Sequence, residues 1–161
     1  MTLLIALTIS IGLLAVVASW LILGPLAALN VQIWQAFVAW ASHYHNGGKA
    51  DGLKKTVICM SFGALVGMLS VMLIGQLGAL GSFAAPVAVG IGAASIVAAA
   101  HVPLLGTIPS SVYGFASIAG LILLGKDMTP EKAILPTILS IIIGAGFGWL
   151  SEFVAGKMAK S

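Results

Sequence analysis

The sequence predicts an all-α polytopic membrane protein with six transmembrane helices. Three observations lead there. Of its 161 residues, 60% are hydrophobic and 7% are charged, whereas a soluble domain carries roughly 25% charged residues. With so little charge the chain cannot make a solvated surface, so its solvent is expected to be lipid. The apolar runs are span-length, about 20 residues each, and length and turns allow about six of them. They are continuous, which excludes the short alternating strands of a membrane barrel. The chain is expected to form a single transmembrane domain over residues 1–161, with no separate soluble part.

Helix 1 is expected from Leu3 to Leu23. It follows Met1 without a charged leader and is as long as a full span, so it is expected to be a membrane helix rather than a cleaved signal. Gly24 and Pro25 stop it, and Trp20 suits an interfacial anchor. Helix 2, Leu26 to His43, is the most polar span, holding Asn30, Gln32 and Gln35. The loop from His43 to Gly52 is rich in glycine and asparagine, the chemistry of turns. Helix 3 is expected from Leu53 to Leu77, followed by a turn over Gly78 to Ser82. Helix 4, Ala84 to His101, is rich in alanine and glycine, which permit close helix approach in a membrane. Helix 5 is expected from Pro109 to Leu124, with proline at a favoured first position. Helix 6 opens on Thr129, Pro130 and Glu131, a good helix start, and runs to about Met158.

The seven basic residues are all lysine, too few for a nucleic-acid footprint. With six spans, Lys49, Lys54, Lys55, Lys157 and Lys160 fall on one side; Lys126 and Lys132 lie on the other, beside Asp127 and Glu131. Lysine excess marks the cytoplasmic face, so both termini are expected there.

The two halves of the chain match each other. Phe37 to Ser42 aligns with Val112 to Ser117, pairing Trp40 with Phe115, Ser42 with Ser117 and Gln35 with Ser110. In the next helices Thr56, Gly63, Ala64, Gly67 and Ser70 align with Thr137, Gly144, Ala145, Gly148 and Ser151. Three spans per unit is an odd number, so the pattern predicts two inverted repeats, residues 1–80 and 81–161. Such repeats place solute sites at their interface near the midplane.

The candidate pore or solute-binding residues follow from that pairing: Trp40, Ser42, Gln35, Ser110, Tyr113, Phe115 and Ser117. Aromatic walls with a few hydroxyls would make a narrow, uncharged path, poor for ions. Aromatics packing on neighbours and serines bonding to their own helix is the plainer alternative. Gly63, Gly67, Gly144 and Gly148 are expected to serve helix packing. Glu152 stands a turn or two from Lys157 and is expected at the interface. His43 and His45, two apart, could share a metal only on a loop, and no cysteine or carboxylate accompanies them at ligand spacing; no metal or other cofactor is expected. The single Cys59 lies in an apolar run and reads as a small buried hydrophobe. No nucleophile triad, phosphate loop or dinucleotide motif occurs, so an enzyme is not expected.

Trp20, the Phe37 to Ser42 segment, Gly47 and Gly48, Lys54 and Lys55 after Leu53, and Ile108 to Ser117 resemble the YcdZ-like family of small bacterial inner-membrane proteins. That family is a domain of unknown function, so the resemblance implies fold and location but no mechanism. The expectation is a homo-oligomeric channel or facilitator for a small, mostly neutral solute. The alternative is a non-transporting assembly or regulatory subunit bound to another membrane protein.

Overall fold

The computed structural model describes residues 1–159. Lys160, one of the lysines counted toward the cytoplasmic side, lies outside the described residues. The described residues form six α-helices: α1 (Leu3–Leu23), α2 (Ile33–His45), α3 (Lys49–Gln76), α4 (Ala84–Ala99), α5 (Ile108–Leu124) and α6 (Pro130–Ala159). Short 3₁₀ segments at Ala27–Leu29, Gly78–Phe83 and Pro103–Leu105 connect them, and no strand occurs among the described residues.

Four stretches among the described residues are long and apolar enough to cross a membrane: α1, α3, α6, and α4 with the 3₁₀ segment before it. α5 is shorter, and α2 has only 13 residues. At 1.5 Å per residue α2 reaches roughly 20 Å, against a hydrocarbon core of about 30 Å. The outer surface is hydrocarbon, with Leu4, Leu13, Val16, Leu123, Leu124 and Leu135 among the exposed side chains.

The centre is a four-helix group. α3 packs along α5, α2 along α6, and α3 against α6. α1 flanks α6 on one side, and α4 flanks α3 on the other. Glycines set these distances. A Cβ at Gly63 would collide with the Ser111 carbonyl, and one at Gly114 with the Met60 backbone. A Cβ at Gly144 would collide with the Ala36 carbonyl. The backbones therefore touch, as small residues permit in membrane bundles. The expected packing positions extend further: a Cβ at Gly67 would stand 2.8 Å from Ile118, and one at Gly148 2.8 Å from the His43 Cβ.

Two boundaries differ from the sequence expectation by about a turn or more. α2 starts at Ile33 rather than Leu26, because the chain after Pro25 forms a 3₁₀ turn that ends at Asn30 in the left-handed region (φ 53°). α3 starts at Lys49 rather than Leu53. Gly47 and Gly48 take positive φ there (86° and 69°), which turns the chain sharply enough for the helix to begin at once.

Lys49 and Lys157 line one groove. Asn30, Lys126, Asp127, Glu131 and Lys132 line another, between the α1–α2 connection and the start of α6. The two lysine groups thus lie at different places, with the α2–α3 turn beside the end of α6.

Candidate functional site

α2 and α5 run in opposite directions and meet at two points, because Ser42 bonds Ser110 while Gln35 bonds the Ser117 carbonyl. Two buried polar clusters mark these meeting points.

The first cluster holds Ser42, Thr56 and Ser110, all fully buried. The Ser42 and Ser110 hydroxyls are 2.9 Å apart, and Ser42 lies 3.3 Å from Thr56. Asn46, just past the end of α2, donates its amide to Thr56 at 2.8 Å and to Ser110 at 2.9 Å. The Asn46 Oδ1 and the neighbouring Ser111 hydroxyl are buried without a hydrogen-bond partner among the described residues.

The second cluster holds Gln35, Ser117 and Thr137, again buried. The Gln35 amide donates to the Ser117 carbonyl at 2.9 Å and to the Thr137 hydroxyl at 3.2 Å. Gln35 Oε1 and the Ser117 hydroxyl have no partner among the described residues. Each orphan group in apolar surroundings carries a desolvation cost that a bound small molecule or water would relieve.

Between the clusters the seam is apolar. Met60 lies one turn beyond Thr56 and Ile141 one turn beyond Thr137, and both join Ala39, Ala64 and Ile118 in one buried group. Gln35 and Ser42 are two turns apart on α2, so the clusters sit roughly 10 Å from each other along the helix.

The two aromatic rings go elsewhere. Trp40 is 5% exposed and stacks on Phe147 at 5.7 Å. Its Nε1–H donates to the Ser151 hydroxyl at 3.0 Å. Phe115 packs on the other flank, its ring against Gly92 of α4. The structure therefore brings Ser42, Ser110, Gln35 and Ser117 into the seam and turns Trp40 toward Phe147 and Ser151 of α6 and Phe115 toward α4. Tyr113 stands edge-on to His45, with ring centroids 6.0 Å apart.

The histidine pair also separates. α2 continues through His45, so the two rings leave the helix in different directions, as residues two apart must. His43 is fully buried and its Nε2 lies 3.0 Å from Glu152 Oε2. Glu152 is 30% exposed and also accepts the Lys49 backbone N–H at 2.6 Å. Tyr44 bonds Ser151 at 2.8 Å. Because the Ser151 hydroxyl bonds the Gly148 carbonyl at 2.8 Å, it can accept from both Trp40 and Tyr44.

Sequence reasoning did not single out Asn46, Thr56 or Thr137 as site residues. Asn46 looked like turn chemistry, and its role rests on contacts with distant helices. Thr56 and Thr137 did carry a signal, because they align with each other in the two halves.

The family model described as "Protein of unknown function (DUF1097)" matches residues 8–156. No curated protein and no solved structure matches the chain.

Proposed function

This chain belongs to DUF1097, a family of proteins of unknown function, and we propose that it is a membrane facilitator for a small neutral solute. The solute would pass along the seam between α2 and α5. In this reading α2 and α5 complete six spans, and the protein resides in a bacterial inner membrane with both termini cytoplasmic, like the YcdZ-like proteins it resembles. Lys49 and Lys157 then mark the cytoplasmic end.

The observation that carries the reading is the pair of buried clusters, each keeping unpartnered polar atoms on either side of an apolar constriction. Every side chain in them is neutral. They offer both donors and acceptors, which suits urea-like or amide-like solutes and gives an ion no compensating charge.

The contacts support an inverted repeat. Gly63 of the first half on Ser111 of the second corresponds to Gly144 of the second half on Ala36 of the first. Gly67 on Ile118 corresponds to Gly148 on His43. Thr56 with Ser42 and Ser110 corresponds to Thr137 with Ser117 and Gln35. Each match exchanges helices between the halves, as a twofold axis in the membrane plane would. The clusters are then the two entrances of one path, closed at Met60, Ala39 and Ile141.

Proteoliposome swelling tests this with urea, acetamide and glycerol in turn. Protein-containing vesicles should swell faster than empty ones for at least one solute. Equal rates for all three would overturn the reading.

A groove lined by Trp34, Ala116, Gly120, Leu121 and Leu124 favours a second reading. Its small residues on α5 leave room for a neighbouring helix. The chain could then be an assembly or regulatory subunit, or use the groove to form a homo-oligomer. No swelling, together with stoichiometric copurification of another membrane protein, would favour the subunit.

A further inference from the structure

We propose that the groove between the start of α3 and the end of α6 seats one acidic phospholipid, held by its phosphodiester. Trp149, Phe153 and Lys157 stand at intervals of four on α6 and so share one face of that helix. They line the groove together with Lys49 and Glu152, around a space of about 420 Å³. From Trp149 to Lys157 the stripe covers about 12 Å of helix. α3 and α6 are both long and apolar enough to cross a membrane, and α3 begins where α6 ends. The groove therefore stands where two spans leave the hydrocarbon, with Lys157 outermost and Trp149 deepest.

The outer end carries the charge. Lys49 and Lys157 are both exposed. The Lys157 Nζ lies 5.6 Å from the centre of the Phe153 ring, close enough for a cation–π contact. Glu152 supplies the groove's carboxylate, and the protein engages it from within. His43 Nε2 at 3.0 Å and the Lys49 backbone N–H at 2.6 Å both reach its Oε2. Two ammonium groups against one carboxylate leave the groove net positive, which complements a phosphodiester monoanion. A headgroup with an ammonium of its own would set a like charge beside both lysines. A twofold contact between two copies of the chain would set this positive groove against itself.

The inner end is apolar. Trp149 and Phe153 stack at 5.6 Å with 15° between their planes, and they are 39% and 51% exposed. They form a flat wall along which an acyl chain can lie. Ala50 adds little bulk to the lining, and nothing lies within 4 Å of where a Cβ on Gly156 would be. The likeness between the two halves breaks here. Met68, Val71, Met72 and Gln76 of α3 align with Trp149, Glu152, Phe153 and Lys157. The matching stretch of α3 thus has neither charge nor ring, so packing of the bundle does not demand them. The seat needs only that the bundle lies in a bilayer, not that a solute passes.

The test places the whole chain in phosphatidylcholine vesicles, with W20F, W34F and W40F leaving Trp149 as the sole tryptophan. A second phospholipid with brominated acyl chains, which quench a neighbouring indole, is added at equal mole fraction in each arm. Brominated phosphatidylglycerol should associate at Trp149 roughly fivefold or more tightly than brominated phosphatidylcholine, the gain from about one lysine near a membrane surface. Brominated phosphatidylethanolamine should behave as the choline lipid does. K49Q/K157Q should remove the preference. K54Q/K55Q, which changes exposed lysines that do not line the groove, should leave it. Equal quenching by the glycerol lipid and either other lipid would overturn the proposal. So would a preference that survives K49Q/K157Q or disappears in K54Q/K55Q, the latter marking diffuse surface charge. No quenching by any lipid would show that protein covers the groove, and would overturn it too. Swelling rates are read separately, so a failed facilitator reading leaves this outcome intact.

Discussion

Gly144 of α6 rests on the carbonyl oxygen of Ala36 in α2, with no room for a Cβ between them. The corresponding pair, Gly63 and Ser111, joins α3 to α5 in the same way. Ordinary overpacking costs about 1–3 kcal/mol, and here the clash is with backbone, which cannot rotate aside. Gly144→Ala and Gly63→Ala should each destabilise by at least about 2 kcal/mol. Gly146 has nothing within 4 Å of where its Cβ would be. Gly146→Ala should be neutral or stabilising by about 0.5–1 kcal/mol, because helical glycine carries an entropic penalty. Melting in detergent separates the two classes.

The two clusters make different demands on Thr56 and Thr137, although the positions correspond. Thr137 accepts from Gln35, whereas Thr56 accepts from Asn46. Valine keeps the shape and removes the hydroxyl. Thr56→Val and Thr137→Val should each cost about 1–3 kcal/mol, since a buried amide then loses an acceptor. If the clusters are the entrances of one path, either change should also slow solute flux by roughly tenfold, the effect of losing about 1.4 kcal/mol of solute binding in the rate-limiting state. Flux equal to that of the unsubstituted protein would remove the clusters from the path.

Trp40 and Ser151 offer a test that separates anchoring from solute passage. Trp40→Phe keeps the stack on Phe147 but removes the Nε1–H that bonds Ser151. Ser151→Ala removes the same bond and also the Tyr44 contact. Each single change should cost about 1 kcal/mol. Residues that share one bond couple, so the double variant should cost less than the sum by about 0.5 kcal/mol or more. Flux should be unchanged in Trp40→Phe if the ring only packs; a large fall would return it to the path.

Much of this was legible in the sequence, for identifiable reasons. The limits of α1 and α5 follow from Pro25 and Gly125 beyond their ends and from Pro109 at the start of α5. The start of α6 was readable because Thr129, Pro130 and Glu131 act locally. Gln35, Ser42, Ser110 and Ser117 could be picked out because polar side chains are rare in these spans and match across the halves. What stayed hidden depends on distant partners. The beginning of α3 is held by Glu152, far along the chain. The partner of His43 is invisible in a sequence where His45 is the nearer candidate. The course of Trp40 toward α6 depends on Phe147 and Ser151, which only the packing of α6 supplies. Composition gave no sign of the side of α2 that faces α5.

The late start of α2 yields the last prediction. Gln32 precedes the helix in an extended conformation and caps it with no side-chain bond of its own. Its backbone N–H instead donates to the Ser140 hydroxyl at 2.9 Å. Ser140 donates in turn to the Pro136 carbonyl at 2.7 Å, one turn back in α6. A hydroxyl borrowed from another helix thus satisfies the N–H of the N-cap residue, as a glutamate at the third helical position does in a capping box. Removing such a cap costs about 0.5–2 kcal/mol. Ser140→Ala should therefore lower stability by about 1 kcal/mol, and the loss should be local. Hydrogen exchange should quicken at the amide of Gln32 and in the first turn of α2, while α3 and the far half of α6 keep their protection. Gln35 lies in that first turn, so its bonds to Ser117 and Thr137 should loosen as well. Uniform acceleration across all six helices would show that Ser140 supports the bundle as a whole rather than the start of α2.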